Sequence, residues 1–152
     1  MRAKSNKGLK VSKSETINAF NSIINHQNFV MARIKNCILH ERDKEIADIV
    51  GEENRFDEIM NDENYKFQEL LGSILYSEII KNYYLWRDTC VAIYKIYIKD
   101  LDARRLRINK ISDMDREIAK SKFDDLENIQ KVLTQYSNTA VARLNALGED
   151  KF

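Results

Sequence analysis

The sequence predicts an all-α fold, an elongated antiparallel bundle of three long helices, with a short fourth helix as the alternative. Proline is absent from the 152 residues and glycine occurs four times, so residues that break helices or form tight turns are scarce. Apolar residues recur at alternating steps of three and four over long stretches, which is the period of one helix face. β-sandwiches, propellers and doubly wound α/β folds need frequent turns, and this composition disfavours them.

The composition is that of a globular domain. Hydrophobic residues make up 43% of the chain, charged residues 32%, and the formal net charge is +1. Intrinsic disorder and a surface built wholly for nucleic acid are therefore disfavoured. We expect a flexible basic tail over residues 1–13, a single helical domain over 14–148 and a C-terminal tail over 149–152.

The expected location is the cytoplasm. Residues 79–98 form the most apolar window, yet they include Lys81, Arg87, Asp88 and Lys95, so we expect no membrane span. The basic start is not followed by the apolar stretch of a secretory signal. Two cysteines without an export signal fit a reducing compartment better than a disulfide framework.

The first helix is predicted from Glu15 to about Val50. Ser12 or Ser14 can act as its N-cap, and Gly51 is the expected stop. Its apolar face is broad enough for a bundle and consists of Ile17, Phe20, Ile23, Ile24, Val30, Met31, Ile34, Cys37 and Ile38. A break near residues 40–44 is the alternative, and it would give a more compact four-helix bundle.

An acidic segment over residues 41–69 separates the first two long helices. Within it, Phe56, Ile59 and Met60 indicate a short helix, and residues 61–64 (Asn-Asp-Glu-Asn) indicate a turn. The acidic segment and the basic ends of the chain could meet between subunits and set their orientation.

The second long helix is predicted from about Asn64 to about Asn109. Gly72 lies inside its pattern and indicates either close helix packing or a kink. Over residues 79–98 this helix is apolar on more than one side, so it is predicted to be the central helix of the bundle or to carry a subunit interface. The interface candidates are Ile80, Tyr83, Tyr84, Trp86, Tyr94 and Tyr97.

The third long helix is predicted to follow Ser112, a good N-cap, and to stop at Gly148. Asp113 and Asp115 in its first turn favour the positive end of the helix dipole.

Arg33 and His40 are the candidate catalytic residues. They lie seven residues apart on one edge of the first helix, where a histidine could move a proton and an arginine could hold a phosphate. The stretch from Arg33 to His40 resembles the arginine–histidine motif of HEPN-type helical ribonucleases. That resemblance implies a dimeric helical bundle with both residues at the subunit junction. The alternative interpretation is two boundary residues selected for partial burial and solubility.

No metal or cofactor is expected. Cys37 and His40 have a spacing that could present two ligands from one helix face, with His26 and Cys90 completing a tetrahedral zinc site. However, nothing in the sequence brings Cys90 to that place, and reduced cysteines on apolar faces usually fill cores.

A basic segment over residues 95–110 and the tail over 1–13 could bind nucleic-acid phosphates or an acidic partner. Tyr94 and Tyr97 lie beside this segment and could stack on bases. The candidate contacts are Lys99, Arg104, Arg105, Arg107 and Lys110.

The leading hypothesis is a non-enzymatic interaction or assembly protein that forms a homo-oligomer and binds a protein partner. The alternatives are a metal-independent ribonuclease that uses Arg33 and His40, and a nucleic-acid-binding accessory protein that uses the basic tail and segment.

Overall fold

The computed structural model describes residues 11–42, 45, 46, 49, 55–99 and 111–152. Its helices include α1 (Lys13–Leu39), α2 (Phe56–Met60), α3 (Phe67–Leu71), α4 (Ser73–Ile98) and α5 (Asp113–Ala146), followed by a 3₁₀ turn at Glu149–Lys151. The predicted all-α bundle is confirmed, since the described residues contain no strand and the three long helices pack together. Residues 1–10 of the expected flexible tail over 1–13 lie outside the described residues.

The N-termini of α1 and α5 follow the predicted caps. The Ser12 hydroxyl accepts a hydrogen bond from the backbone N–H of Glu15 at 3.0 Å, and the Glu15 carboxylate accepts one from the backbone N–H of Ser12. Ser112 accepts from the backbone N–H of Asp115 at 3.1 Å. Each bond satisfies an N–H that has no partner within the helix.

The first helix ends at Leu39 rather than at about Val50, beside the break near residues 40–44 that was the alternative prediction. Glu41 adopts a left-handed conformation with φ +56°, and the N–H of Arg42 donates to the carbonyl of Cys37 at 2.9 Å. This is the Schellman ending, which usually has glycine at the left-handed position. Arg116 of α5 makes an ion pair with Glu41 at 3.3 Å, and that contact was not visible in the local sequence.

The predicted second long helix is also interrupted, because Gly72 separates α3 from α4. Gly72 has φ +85° and ψ 151°, a combination essentially restricted to glycine. The guanidinium of Arg143 donates from Nε to the carbonyl of Leu70 at 3.1 Å and so satisfies a group at the end of α3. α4 ends at Ile98, and residues 100–110 of the predicted helix lie outside the described residues.

α5, and not the second helix, is the central helix of the bundle. It packs against both α4 and α1. At one end Lys13 donates to the carbonyl of Leu147 at 2.7 Å, and at the other end Glu41 and Lys99 pair with Arg116 and Asp115. α1 and α4 are therefore both antiparallel to α5 and parallel to each other. α2 and α3 belong to the part of the chain that connects α1 to α4, which we call the return segment.

The bundle is elongated, as predicted. α5 has 34 residues, which corresponds to a length of about 51 Å. That exceeds the diameter of roughly 40 Å expected for a compact globule of this chain length.

The core runs the length of the bundle and takes one face from each long helix. Gln27, a polar residue of α1, is 2% exposed and therefore lies within this core. At the C-terminus, Phe152 is 9% exposed and packs against the core instead of extending as a tail. Large side chains with 0–1% exposure include Phe20, Ile34, Ile46, Phe56, Phe67, Leu71, Tyr83, Ile93, Tyr97, Leu126 and Leu144.

Candidate functional site

Arg33 and His40 lie two turns apart on the same side of α1. The guanidinium of Arg33 stacks over the Phe29 ring with its carbon 5.2 Å from the ring centroid. His40 is the exposed C-cap of α1, and its backbone N–H donates to the carbonyl of Asn36. Seven helical residues separate the two side chains by about 10 Å along the axis. The ribonuclease function stays a prediction.

Both cysteines are buried, free and on different helices. Burial raises the pKa of Cys37 above its ordinary value, with a smaller contribution from the nearby Glu45 carboxylate. Burial also raises the pKa of the Cys90 thiol to about 12. A raised pKa disfavours the thiolate that metals and electrophiles require. Among the described residues, no group of three or more histidine, cysteine or acidic side chains is arranged to hold a metal ion.

The predicted interface residues divide between the core and the boundary. Tyr83, Trp86 and Tyr97 are at most 3% exposed within a single chain, so they are core side chains rather than outer surface. Ile80, Tyr84 and Tyr94 are partly exposed, and for these three residues an interface role stays a prediction.

An aromatic cluster joins the return segment to α4. The rings of Phe56 and Tyr83 stack with centroids 3.5 Å apart and planes 4° apart, and Trp86 stacks against Tyr83 at 6.0 Å. This packing buries Tyr83, and the burial raises the pKa of its hydroxyl. The cluster explains why the second long helix is apolar on more than one side, because α2 covers one side and α5 another.

At the edge of that cluster, Asp57 contacts two side chains of α4. The Tyr84 hydroxyl donates to Asp57 Oδ1 at 2.5 Å, and this hydrogen bond is the main reason that the pKa of Tyr84 is raised. Arg87 lies 3.7 Å from Asp57 Oδ2, and its guanidinium carbon lies 4.6 Å from the centroid of the Tyr84 ring. This part of the acidic segment therefore contacts a cation of its own chain.

The proposed nucleic-acid surface lies largely outside the described residues. Arg104, Arg105, Arg107 and Lys110 fall there, together with residues 1–10. Lys99 is described, and it pairs with Asp115 at 3.6 Å. Tyr97 is 1% exposed, so the prediction that its ring stacks on bases is wrong. Tyr94 stays partly exposed.

Three of the surface hollows in the described part of the chain bear on the candidate sites. The smallest, about 90 Å³, lies beside Phe152. A groove of about 380 Å³ separates α1 from α5 and is lined by charged residues of both signs. The largest is an open groove of about 640 Å³ between the start of α4 and the end of α5, with Ile74, Leu75 and Tyr136 on its walls.

The sequence reasoning missed an exposed apolar strip that extends from this groove along α4 and α5. Its exposed fractions range from 83% for Ile74 to 39% for Val132. Its members are Ile74, Leu85, Met114, Ile118 and Val132. The sequence did contain one signal of this strip. Met114 and Ile118 lie one turn apart on α5, at the border of its buried face. We call this set the α4–α5 strip.

Comparison with known proteins gives this site no assignment. No family model matches the chain, and neither the curated proteins nor the solved structures contain a significant match. Across the parts of the chain that the structure describes, no helix combines the length and apolarity needed to cross a bilayer.

Proposed function

We propose that this protein is a non-enzymatic helical-bundle interaction protein that acts through protein–protein contacts on the α4–α5 strip. The observation that carries the proposal is the exposure of large apolar side chains along two adjacent helices, with Ile74 and Met114 towards opposite ends and Leu85 at 46% and Val132 at 39% between them. Apolar side chains grouped on a surface mark interaction sites, because their removal from water favours association.

The strip has the composition of a contact surface rather than of an enclosed site. Its apolar centre, around Leu85 and Val132, is bordered by exposed charged residues of α4 such as Lys81 and Asp88. An apolar centre within a polar rim is the usual anatomy of a protein interface. The groove of about 640 Å³ beside Ile74 is open to solvent, which suits a helix or an extended segment of a partner.

We also propose a cytoplasmic location, which the free, buried cysteines support because they fit a reducing compartment. We expect its assemblies to include copies of the chain itself as well as a protein partner.

A photo-crosslinking amino acid at defined positions in living cells tests the proposed function. The probe is placed at Leu85 or Val132 on the strip, and at Asn18 or Asn25 on the exposed face of α1 as matched controls. We expect discrete adducts, identified by mass spectrometry, from the strip positions and not from the controls. Strip positions that give no adduct, or the same adducts as the controls, would overturn the proposal.

A further inference from the structure

The outward edge of α4 carries a regular seam. Its members follow alternating steps of four and three, so they line one face along the helix. Leu85 at the middle is 46% exposed, Lys81, Asp88 and Lys95 are exposed, and Glu78 is half-buried. In order, the residues of this outer seam are Ile74, Glu78, Lys81, Leu85, Asp88, Ala92 and Lys95.

The pairing of α4 with α5 places an apolar centre on this seam. The ion pair between Lys99 and Asp115 fixes the antiparallel register of the two helices. Fourteen residues before Lys99 on α4 is Leu85, and fourteen residues after Asp115 on α5 is Ile129. These two residues therefore lie at the same level, and Val132 lies one turn further along α5. Val132 is 39% exposed and Ile129 is partly buried, so they extend the apolar surface around Leu85.

The charges of the outer seam alternate in sign on both sides of this centre. In chain order they are Glu78, Lys81, Asp88 and Lys95. Within the described ranges, none of the four makes an ion pair. These charges are therefore available to a partner.

The signs along the seam are negative, positive, negative, positive. When the same series is read in the opposite direction, each charge faces one of opposite sign. When a second α4 runs antiparallel across the first, Glu78 faces Lys95 and Lys81 faces Asp88, and each pair occurs twice. If the twofold axis lies halfway between residues 85 and 86, each charged residue is offset from its partner by about 3 Å along the helix axis. A lysine side chain spans that offset. A parallel pairing would instead place like charges together.

We propose that the outer seam of α4 is the contact between two copies of this chain, which associate through antiparallel α4 helices about a twofold axis beside Leu85. This inference rests on the proposed function, because it names the partner of the α4–α5 strip. An isologous contact requires a self-complementary surface, and the seam provides both an apolar centre on the axis and opposite charges around it.

Sedimentation velocity of the purified full chain tests the association. At about 100 μM we expect a species of twice the 17.9 kDa chain mass. Leu85→Glu places two like charges beside the axis and should weaken association at least about a hundredfold. Lys131→Glu, an exposed charge change away from the seam, is the matched control and should leave association unchanged. Circular dichroism of each variant confirms that the helices are retained.

Charge exchange tests the antiparallel geometry. Lys81→Glu and Asp88→Lys each create two like-charge contacts in a dimer, and each should weaken self-association about tenfold. The double variant restores opposite charges and should recover the wild-type affinity. A mixture of the two single variants should form a heterodimer in preference to either homodimer, because all four contacts in the heterodimer are favourable. Native mass spectrometry distinguishes the three species by mass.

The outcomes separate this inference from the proposed function. A wild-type chain that stays monomeric, or a dimer that is insensitive to Leu85→Glu and to charge exchange, overturns the α4 contact. If the crosslinking probe at Leu85 then captures a different protein, the interaction function survives and the second-copy assignment fails. An adduct of two chains from Leu85, together with recovery in the double charge variant, supports both.

Discussion

Replacing Gly72 with alanine tests the helix break that divides the predicted second helix. Gly72 has φ +85° and ψ 151°, which an L residue with a side chain adopts only under strain. An added Cβ would meet nothing closer than Arg143 Nη2 at 3.6 Å, an ordinary van der Waals distance. The cost therefore arises from the backbone, and we expect a loss of about 1–3 kcal/mol in the free energy of unfolding.

A continuous helix through residue 72, as the sequence pattern indicated, predicts the opposite sign. Inside a helix, alanine is more stable than glycine by roughly 0.5–1 kcal/mol, because glycine loses more backbone entropy on folding. The same substitution therefore stabilises the protein if the helix is continuous and destabilises it if the helix is broken.

Thermal and urea denaturation followed by far-ultraviolet circular dichroism measure the difference. For a domain of this size, the expected loss lowers the melting temperature by about 2–12 °C. Ser73→Ala, at the exposed first residue of α4, is the control and should change stability by no more than about 0.5 kcal/mol. A Gly72→Ala variant that melts above the wild type would refute the break.

Two further predictions concern the first helix cap and high pH. Ser12→Ala removes the hydroxyl that accepts from the Glu15 N–H and should lower the free energy of unfolding, measured by urea denaturation, by about 1 kcal/mol. Ser14→Ala is the control and should lower it by less than about 0.5 kcal/mol. Equal losses in the two variants would contradict the cap. Burial raises the pKa of Cys90 to about 12 and also raises that of Tyr83, so unfolding should become easier as pH rises above about 9, where the unfolded chain releases protons that the folded chain retains. This loss should be shallower in Cys90→Ala, and stability that stays constant up to about pH 11 in the wild type would contradict the burial of these groups.

The helix starts were predictable because their signals are local. Ser12 caps Glu15 and Ser112 caps Asp115 across three residues of sequence, and the structure has both bonds. The end of α1 was predicted only as an alternative, a break near residues 40–44, because its signal is not local. Its left-handed residue is Glu41 rather than glycine, and it is paired with Arg116, a residue on a different helix.

The candidate sites show the same division. The periodicity correctly marked Tyr83, Trp86 and Tyr97 as apolar positions, but it could not distinguish a core face from an interface face. The return segment covers that face with Phe56, so these aromatic residues are buried within one chain. Leu85 and Val132 remain exposed because no described element packs over their edge of α4 and α5.

The sequence alone determined that the chain is helical, where α1 and α5 begin and which residues are apolar, because propensity, capping and period act among residues within about one turn. Tertiary structure decided that α5 is central, that α1 and α4 run parallel, and that the first two predicted helices break at Glu41 and Gly72. Those features depend on contacts between segments far apart in the chain. Burial, unlike helicity, is a property of a residue's neighbours in space.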